Sequence, residues 1–195
     1  MSNIEESDSE LIARYLEGGD EQALQLLVSR HLKSIYNFAY SVVGGKSEAD
    51  DVTQEAFVKI WKNLKKFDGE KSFRTWAFSI TRNAAIDYLR KRKAIPFSYF
   101  DDEKDGQFAE SIKDEEAVAD ELFDLAYQEK EVAKAIDGLP NIYREIISLK
   151  LSEDMTFEEM AEIMGESVNT IKSRHRRGVL LLKKSLEPYM HQNYK

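Results

Sequence analysis

Apolar residues recur at helical spacing along most of the chain, and no alternating strand pattern of useful length interrupts them. Ser9 is placed to cap a short helix through Glu17, ended by Gly18-Gly19. Asp20 opens a longer helix in which Ala23, Leu26, Leu27, Leu32, Ile35, Tyr36 and Ala39 form the apolar stripe, ended by Gly44-Gly45. Ser47 with Asp50 starts a third helix whose Val52, Ala56, Ile60 and Leu64 face inward. After the break at Phe67-Asp68-Gly69, Ser72 caps a fourth, with Phe73, Ala77, Ile80 and Ala84 repeating until Pro96. The pattern predicts an all-α chain that begins with a four-helix domain over residues 1–95.

Residues 96–114 lack periodicity and read as an acidic, flexible linker. A second helical domain occupies residues 115–195. Val118, Leu122, Leu125, Val132 and Ile136 predict a helix that Gly138 terminates, and Pro140 begins another carrying Ile142, Ile146, Ile147 and Leu151. Thr156 to Gly178 then reads as a helix-turn-helix. Thr156 and Glu159 make a capping box, and Phe157, Met160, Ala161 and Met164 line one side of the helix. Gly165 supplies the turn, and Ser167 caps a second helix near Val168. That second helix sets Val168, Ile171 and Leu182 on one side and Lys172, Ser173, Arg174, Arg176 and Arg177 largely elsewhere. Two short helices joined by a glycine turn, the second basic, suit the DNA major groove. Lys172, Arg176 and Arg177 lie opposite Ile171 and Leu182 and are expected to face the groove, at least one reaching a base edge. Lys183 and Lys184 are expected to meet phosphates at most.

Charge changes the picture. The formal net charge of −8 over 195 residues runs against DNA binding, but it is unevenly spread. From Lys71 to Lys93 seven Lys or Arg face Asp87 alone, and from Lys172 to Lys184 there are six Lys or Arg and no acid. Between them, Asp101 to Glu131 holds thirteen acids against three lysines. Two basic blocks flanking an acidic one imply two nucleic-acid surfaces and a middle that repels phosphate.

The third and fourth helices carry a second signal. Phe57 and Trp61 lie four apart beside Asp51, Gln54 and Glu55, which suits a protein-protein anchor, although a lone aromatic pair is more often core. The fourth helix interleaves Phe73, Trp76, Phe78 and Tyr88 with Lys71, Arg74, Arg82 and Arg90, and Asn83 and Asp87 form a polar row. Cations follow phosphates and aromatic faces stack on unpaired bases. The competing reading makes the aromatics core and the cations a solvated helix end.

DDVTQEAFVKIWKNL and FRTWAFSITRNAAIDYLRKRK, followed by LPNIYREIISLKLSEDMTFEEMAEIMGESVNTIKSRHRRG, resemble the second and fourth conserved regions of the extracytoplasmic-function (ECF) sigma factors, the short members of the sigma-70 family. The resemblance spans about Leu11 to Leu186 and implies an alternative sigma factor that binds RNA polymerase core and directs promoter-specific initiation. It implies that Asp51, Gln54, Glu55, Phe57 and Trp61 dock on the clamp helices of the polymerase largest subunit. It implies that Lys71, Arg74, Trp76, Arg82, Asn83, Asp87 and Arg90 serve the minus-ten element, where a flipped base is held. Asn169, Thr170, Lys172, Ser173, Arg174, Arg176 and Arg177 would serve the minus-thirty-five element. The polymerase flap and an anti-sigma factor are the further partners implied.

Two positions depart from the family pattern. His175 falls between Ile171 and Leu182, where relatives usually carry an aliphatic residue, and reads as a satisfied core or boundary histidine rather than a ligand. Gly178 costs about 1 kcal/mol inside a helix relative to Ala, which predicts a bend or an end near it.

Other classes fit less of the chain. A stand-alone helix-turn-helix regulator leaves the fourth helix's basic-aromatic mixture unused. An all-α metal-dependent nucleotide pyrophosphohydrolase would use Glu158, Glu159 and Glu162 to hold Mg²⁺, but no second carboxylate pair completes that site. No catalytic centre, cofactor or metal site is expected. There is no cysteine, no secretory signal and no stretch of about 20 apolar residues, so a cytoplasmic protein without membrane insertion is expected.

Overall fold

The computed structural model describes residues 6–69, 72–92 and 129–190. Lys71, the linker at 96–114 and the expected helical positions Val118, Leu122 and Leu125 lie outside the described residues. Among the described residues all regular structure is helical: α1 (Asp8–Gly18), α2 (Glu21–Val43), α3 (Lys46–Asn63) with a 3₁₀ turn at Leu64–Lys66, α4 (Phe73–Arg92), α5 (Glu129–Asp137), α6 (Asn141–Glu153), α7 (Phe157–Met164) and α8 (Val168–Met190). The chain divides into two compact units, the first carrying α1 to α4 and the second α5, α6, α8 and most of α7.

Local chemistry sets most boundaries. Asp20 accepts hydrogen bonds from the Gln22 and Ala23 amides, and Gly44 ends α2 at φ 78°. Ser72 accepts from Thr75 N at the start of α4. Two expected caps move. Helix α1 is capped by Ser7, not Ser9, because Ser7 and Glu10 close a full capping box. Helix α3 starts after Gly45 without a side-chain cap, so Ser47 and Asp50 are inside the helix. A Cβ at Gly45 would run into the Glu48 carboxylate, which folds back over that end.

The first core gathers Leu11, Leu27, Ile35, Phe38, Val52, Ala56, Ile60, Leu64, Phe73, Ala77, Phe78 and Ala84, with Phe38 and Phe78 ring centroids 5.0 Å apart. The inward face of α2 differs from the expected stripe. Leu26 and Leu32 are exposed and Tyr36 is half-buried, while His31 and Phe38 point inward. Ile80 of α4 is also only half-buried. The reason is the rotation set by α1. His31 Nε2 lies 2.8 Å from Asp8 Oδ2, and Arg30 donates to Asp8 Oδ1 at 2.6 Å and to the Glu6 carbonyl at 2.8 Å. This latch favours the 31 face over the 32 face.

Burial alone would raise the Asp8 carboxyl, but hydrogen bonds and charge from His31 and Arg30 outweigh it and hold it below its ordinary value of 3.8. A depressed acid contributes stability above its unfolded value and loses it as pH falls through the folded one. Asp8→Asn is therefore expected to destabilise the first unit by about 1 kcal/mol at neutral pH, discounted for partial exposure. Thermal unfolding followed across pH checks this: the gap between variant and wild type should close below pH 3.8. A gap that persists in acid would mean the carboxylate is not the stabilising group.

In the second unit Leu139, Ile147, Val179, Leu182 and Leu186 form a cluster, with Val132, Ile136 and Leu151 packed against it. Met155, Met160 and Ile171 are also buried. Helix α6 follows Pro140, which sits at its N-cap.

Candidate nucleic-acid and polymerase interfaces

The helix-turn-helix forms from local hydrogen bonds. Thr156 Oγ1 accepts from Glu159 N at 3.2 Å while Glu159 Oε2 accepts from Thr156 N at 2.8 Å. Glu159 of the acidic triplet is thereby engaged in a cap. Gly165 adopts φ 70°, and the Gly165 and Glu166 amides both donate to the Ala161 carbonyl, at 2.9 and 3.1 Å. Ser167 Oγ accepts from Thr170 N at 3.1 Å and so caps α8.

Along α8, Ile171 and Leu182 are buried, Asn169 and Lys172 are exposed, and Thr170, Ser173, Arg176 and Arg177 are half-buried. Lys172 Nζ sits 5.6 Å from the Phe157 ring centroid, and Lys150 Nζ 5.8 Å from it. His175 meets Phe157 edge-on at 5.3 Å and is half-buried, a boundary residue. Arg174 departs from expectation. It is only 6% exposed, and its Nη1 lies 2.5 Å from Glu166 Oε1. Three residues beyond Ile171, it shares the buried side of the helix, and its guanidinium turns back to the interhelical turn instead of outward. Gly178 departs as well. Helix α8 runs through it to Met190, and a Cβ there would lie 2.9 Å from Ile147 Cγ1 and 3.3 Å from Tyr143 Cβ. The glycine admits α6 at close range and does not end the helix.

In α4 the aromatic set divides. Phe73 and Phe78 are core, which removes them as stacking faces. Trp76 and Tyr88 are half-buried, Trp76 resting 5.2 Å from Phe67 and 5.8 Å from Phe73. Arg74 and Arg82 are half-buried and Arg90 is exposed, with the Arg74 guanidinium 6.0 Å from the Phe78 ring centroid. Asn83 is exposed. Asp87 lies 3.5 Å from Arg90 and 3.7 Å from Lys59 of α3, so the polar row is tied to the neighbouring helix.

On α3, Asp51 and Gln54 are exposed and Glu55 and Phe57 half-buried. Trp61 is 53% exposed, and its Nε1 donates to the Tyr15 hydroxyl at 2.6 Å. A half-exposed, tethered indole is not a core residue. Phe57 and Trp61 edge an apolar groove with Leu24 and Val28 of α2 and Ile60 and Leu64 below. A hydrogen bond from Lys59, at 2.9 Å, keeps the Glu55 carboxyl below its ordinary range. Sequence reasoning missed Tyr15 and Glu166, the partners of Trp61 and Arg174. Only the helical placement of Tyr15 and the turn position of Glu166 hinted at them.

Residues 27–95 match the family Sigma-70 region 2, and residues 129–182 match Sigma-70, region 4. The chain is 33% identical over 177 residues to the ECF RNA polymerase sigma factor SigW of Bacillus subtilis, covering 86% of this chain and 91% of that one. It is 31% identical to the RNA polymerase sigma-H factor of Pseudomonas aeruginosa, covering 96% and 98%. Among solved structures it resembles CnrH in complex with the cytosolic domain of CnrY, with a TM-score of 0.64 at 27% identity, covering 94% and 99%. It also resembles the sigma factor RpoE in complex with the anti-sigma factor NepR from Bartonella quintana, with a TM-score of 0.63 at 27% identity, covering 84% and 96%. The chain belongs to the ECF sigma factors of the sigma-70 family. It is a transcription initiation factor, an alternative sigma factor that directs RNA polymerase to promoters. Among the described residues, no helix is long and apolar enough to cross a membrane.

Proposed function

We propose a division of labour among named residues. Residues 1–95 bind polymerase and the minus-ten element, residues 96–114 link, and residues 115–195 read the minus-thirty-five element. Asp51, Gln54, Glu55, Phe57 and Trp61 dock on the clamp helices of the largest subunit. Arg74, Trp76, Arg82, Asn83, Asp87 and Arg90, with Lys71 before them, hold the opened minus-ten strand. Asn169, Thr170, Lys172, Ser173, Arg176 and Arg177 face the upstream major groove, and the second unit meets the flap. The protein performs no chemistry of its own and works in the cytoplasm, where polymerase is. Because the two solved relatives are bound to CnrY and NepR, we infer that an anti-sigma protein also restrains this chain.

The observation that carries this reading is Trp61, which stands 53% exposed beside acids on α3. A stand-alone regulator has no use for a solvent-facing indole there, whereas a large aromatic is a strong interface anchor. Run-off transcription tests the function, with core enzyme and templates whose start sites are mapped after overproduction. Selective transcripts are expected only when both core and this chain are present. Equal promoter selectivity with and without the chain would remove the reading.

A further inference from the structure

Arg174 is a cation in the middle of a recognition helix that does not face outward. Its side chain is 7% exposed and bonded through Nη1 to Glu166, itself 28% exposed. Glu166 is not a free surface acid either. Its amide and that of Gly165 are both anchored on the Ala161 carbonyl at the end of α7, and Gly165 is held at φ 70°. The next residue, Ser167, caps α8. The turn is therefore fixed from α7 by backbone bonds and from α8 by a cap near the axis. Neither restrains how α8 rotates about that axis. Burial of Ile171, Val179, Leu182 and Leu186 sets that rotation coarsely, and the Arg174–Glu166 pair refines it, because it joins the turn to a side chain about 10 Å further along the helix, at a rise of 1.5 Å per residue.

We propose that Arg174 and Glu166 form a positioning strut that refines the rotation of α8, and thereby the aim of the base-reading side chains. Size makes the restraint matter. Side chains end about 5–6 Å from a helix axis, so a rotation of about 20° carries their tips about 2 Å. Hydrogen bonds to base edges tolerate only a few tenths of an ångström. A buried ion pair gives little net stability, and its best-attested use is to select one arrangement among near alternatives. The pairing also neutralises Glu166 beside the DNA-facing helix while adding no net cation to it. This inference rests on the assignment of α8 to the upstream element.

The experiment uses the full chain with core polymerase, on promoter duplexes carrying single-base changes in the upstream element, at two salt concentrations. Arg174→Met, Glu166→Gln and the double variant are compared with Lys172→Ala. Either single variant is expected to lower discrimination between the promoter and its base variants by about tenfold, the worth of one well-aligned base contact. The double variant should be no worse than either single, since both remove the same strut. The slope of affinity against salt should stay at the wild-type value. Three results overturn the proposal. In the first, Arg174→Met alone weakens all sequences alike and flattens the salt slope by about one, which would make Arg174 a phosphate contact. In the second, both variants lower the melting temperature but keep full discrimination, which would make the pair structural only. In the third, wild type itself shows no upstream preference, and the assignment of α8 falls together with the strut. Only the third touches the wider reading.

Discussion

Replacing Trp61 and Glu55 together by alanine is expected to weaken binding to core polymerase by about 2 kcal/mol or more, roughly thirtyfold, without loss of helicity. Trp61 is 53% exposed, so its removal leaves no deep cavity, and its bond to Tyr15 joins two surface groups. Glu55 is half-buried and bonded to Lys59 on its own helix. An exposed i,i+4 pair of this kind contributes only about 0.3–0.5 kcal/mol to folding. The fold therefore has little to lose, whereas a desolvated indole at an interface has much. Binding is measured by competition for core against the wild-type chain, with circular dichroism on the same samples. If the variant unfolds, or binds core as well as wild type does, Trp61 is not the anchor.

Gly178→Leu is expected to cost the second unit about 3 kcal/mol, at the upper end of overpacking penalties. The first added carbon already lies 2.9 Å from Ile147 Cγ1, and Ile147 is itself 1% exposed, so it has nowhere to move. Gly178→Ala is expected to cost less, about 1 kcal/mol, because its single added carbon meets Ile147 at the same 2.9 Å and better helix propensity offsets only part of that clash. Thermal denaturation followed at 222 nm separates the cases. An unchanged melting transition for Gly178→Leu would mean that α6 and α8 are not in close contact in solution.

Features encoded within a few residues were legible beforehand. Asp20, Ser72, Thr156 with Glu159, Gly165 and Ser167 act where their spacing placed them, because caps and turns are settled by near neighbours. Features decided by distant partners were not. Leu32 outranks His31 on any hydrophobic scale, yet His31 is buried because Asp8 and Phe73 receive it. Arg174 looks like its neighbours Lys172 and Arg176 until Glu166 is brought opposite it. Gly178 is a helix breaker by propensity and a packing necessity by contact. Phe73 and Phe78 fitted a stacking surface and a core equally well by spacing, and only their burial decides for core. For Trp61 the general preference for core is overruled by its exposure.

Both tryptophans of the chain, Trp61 and Trp76, belong to the first unit, one half in solvent and the other against Phe67 and Phe73. Indole emission excited selectively consequently reports on the unit that holds both indoles, while far-ultraviolet dichroism weighs both units. The untagged protein thus carries its own two-channel readout. Melting the second unit alone would leave the fluorescence curve in place and split it from the dichroic one.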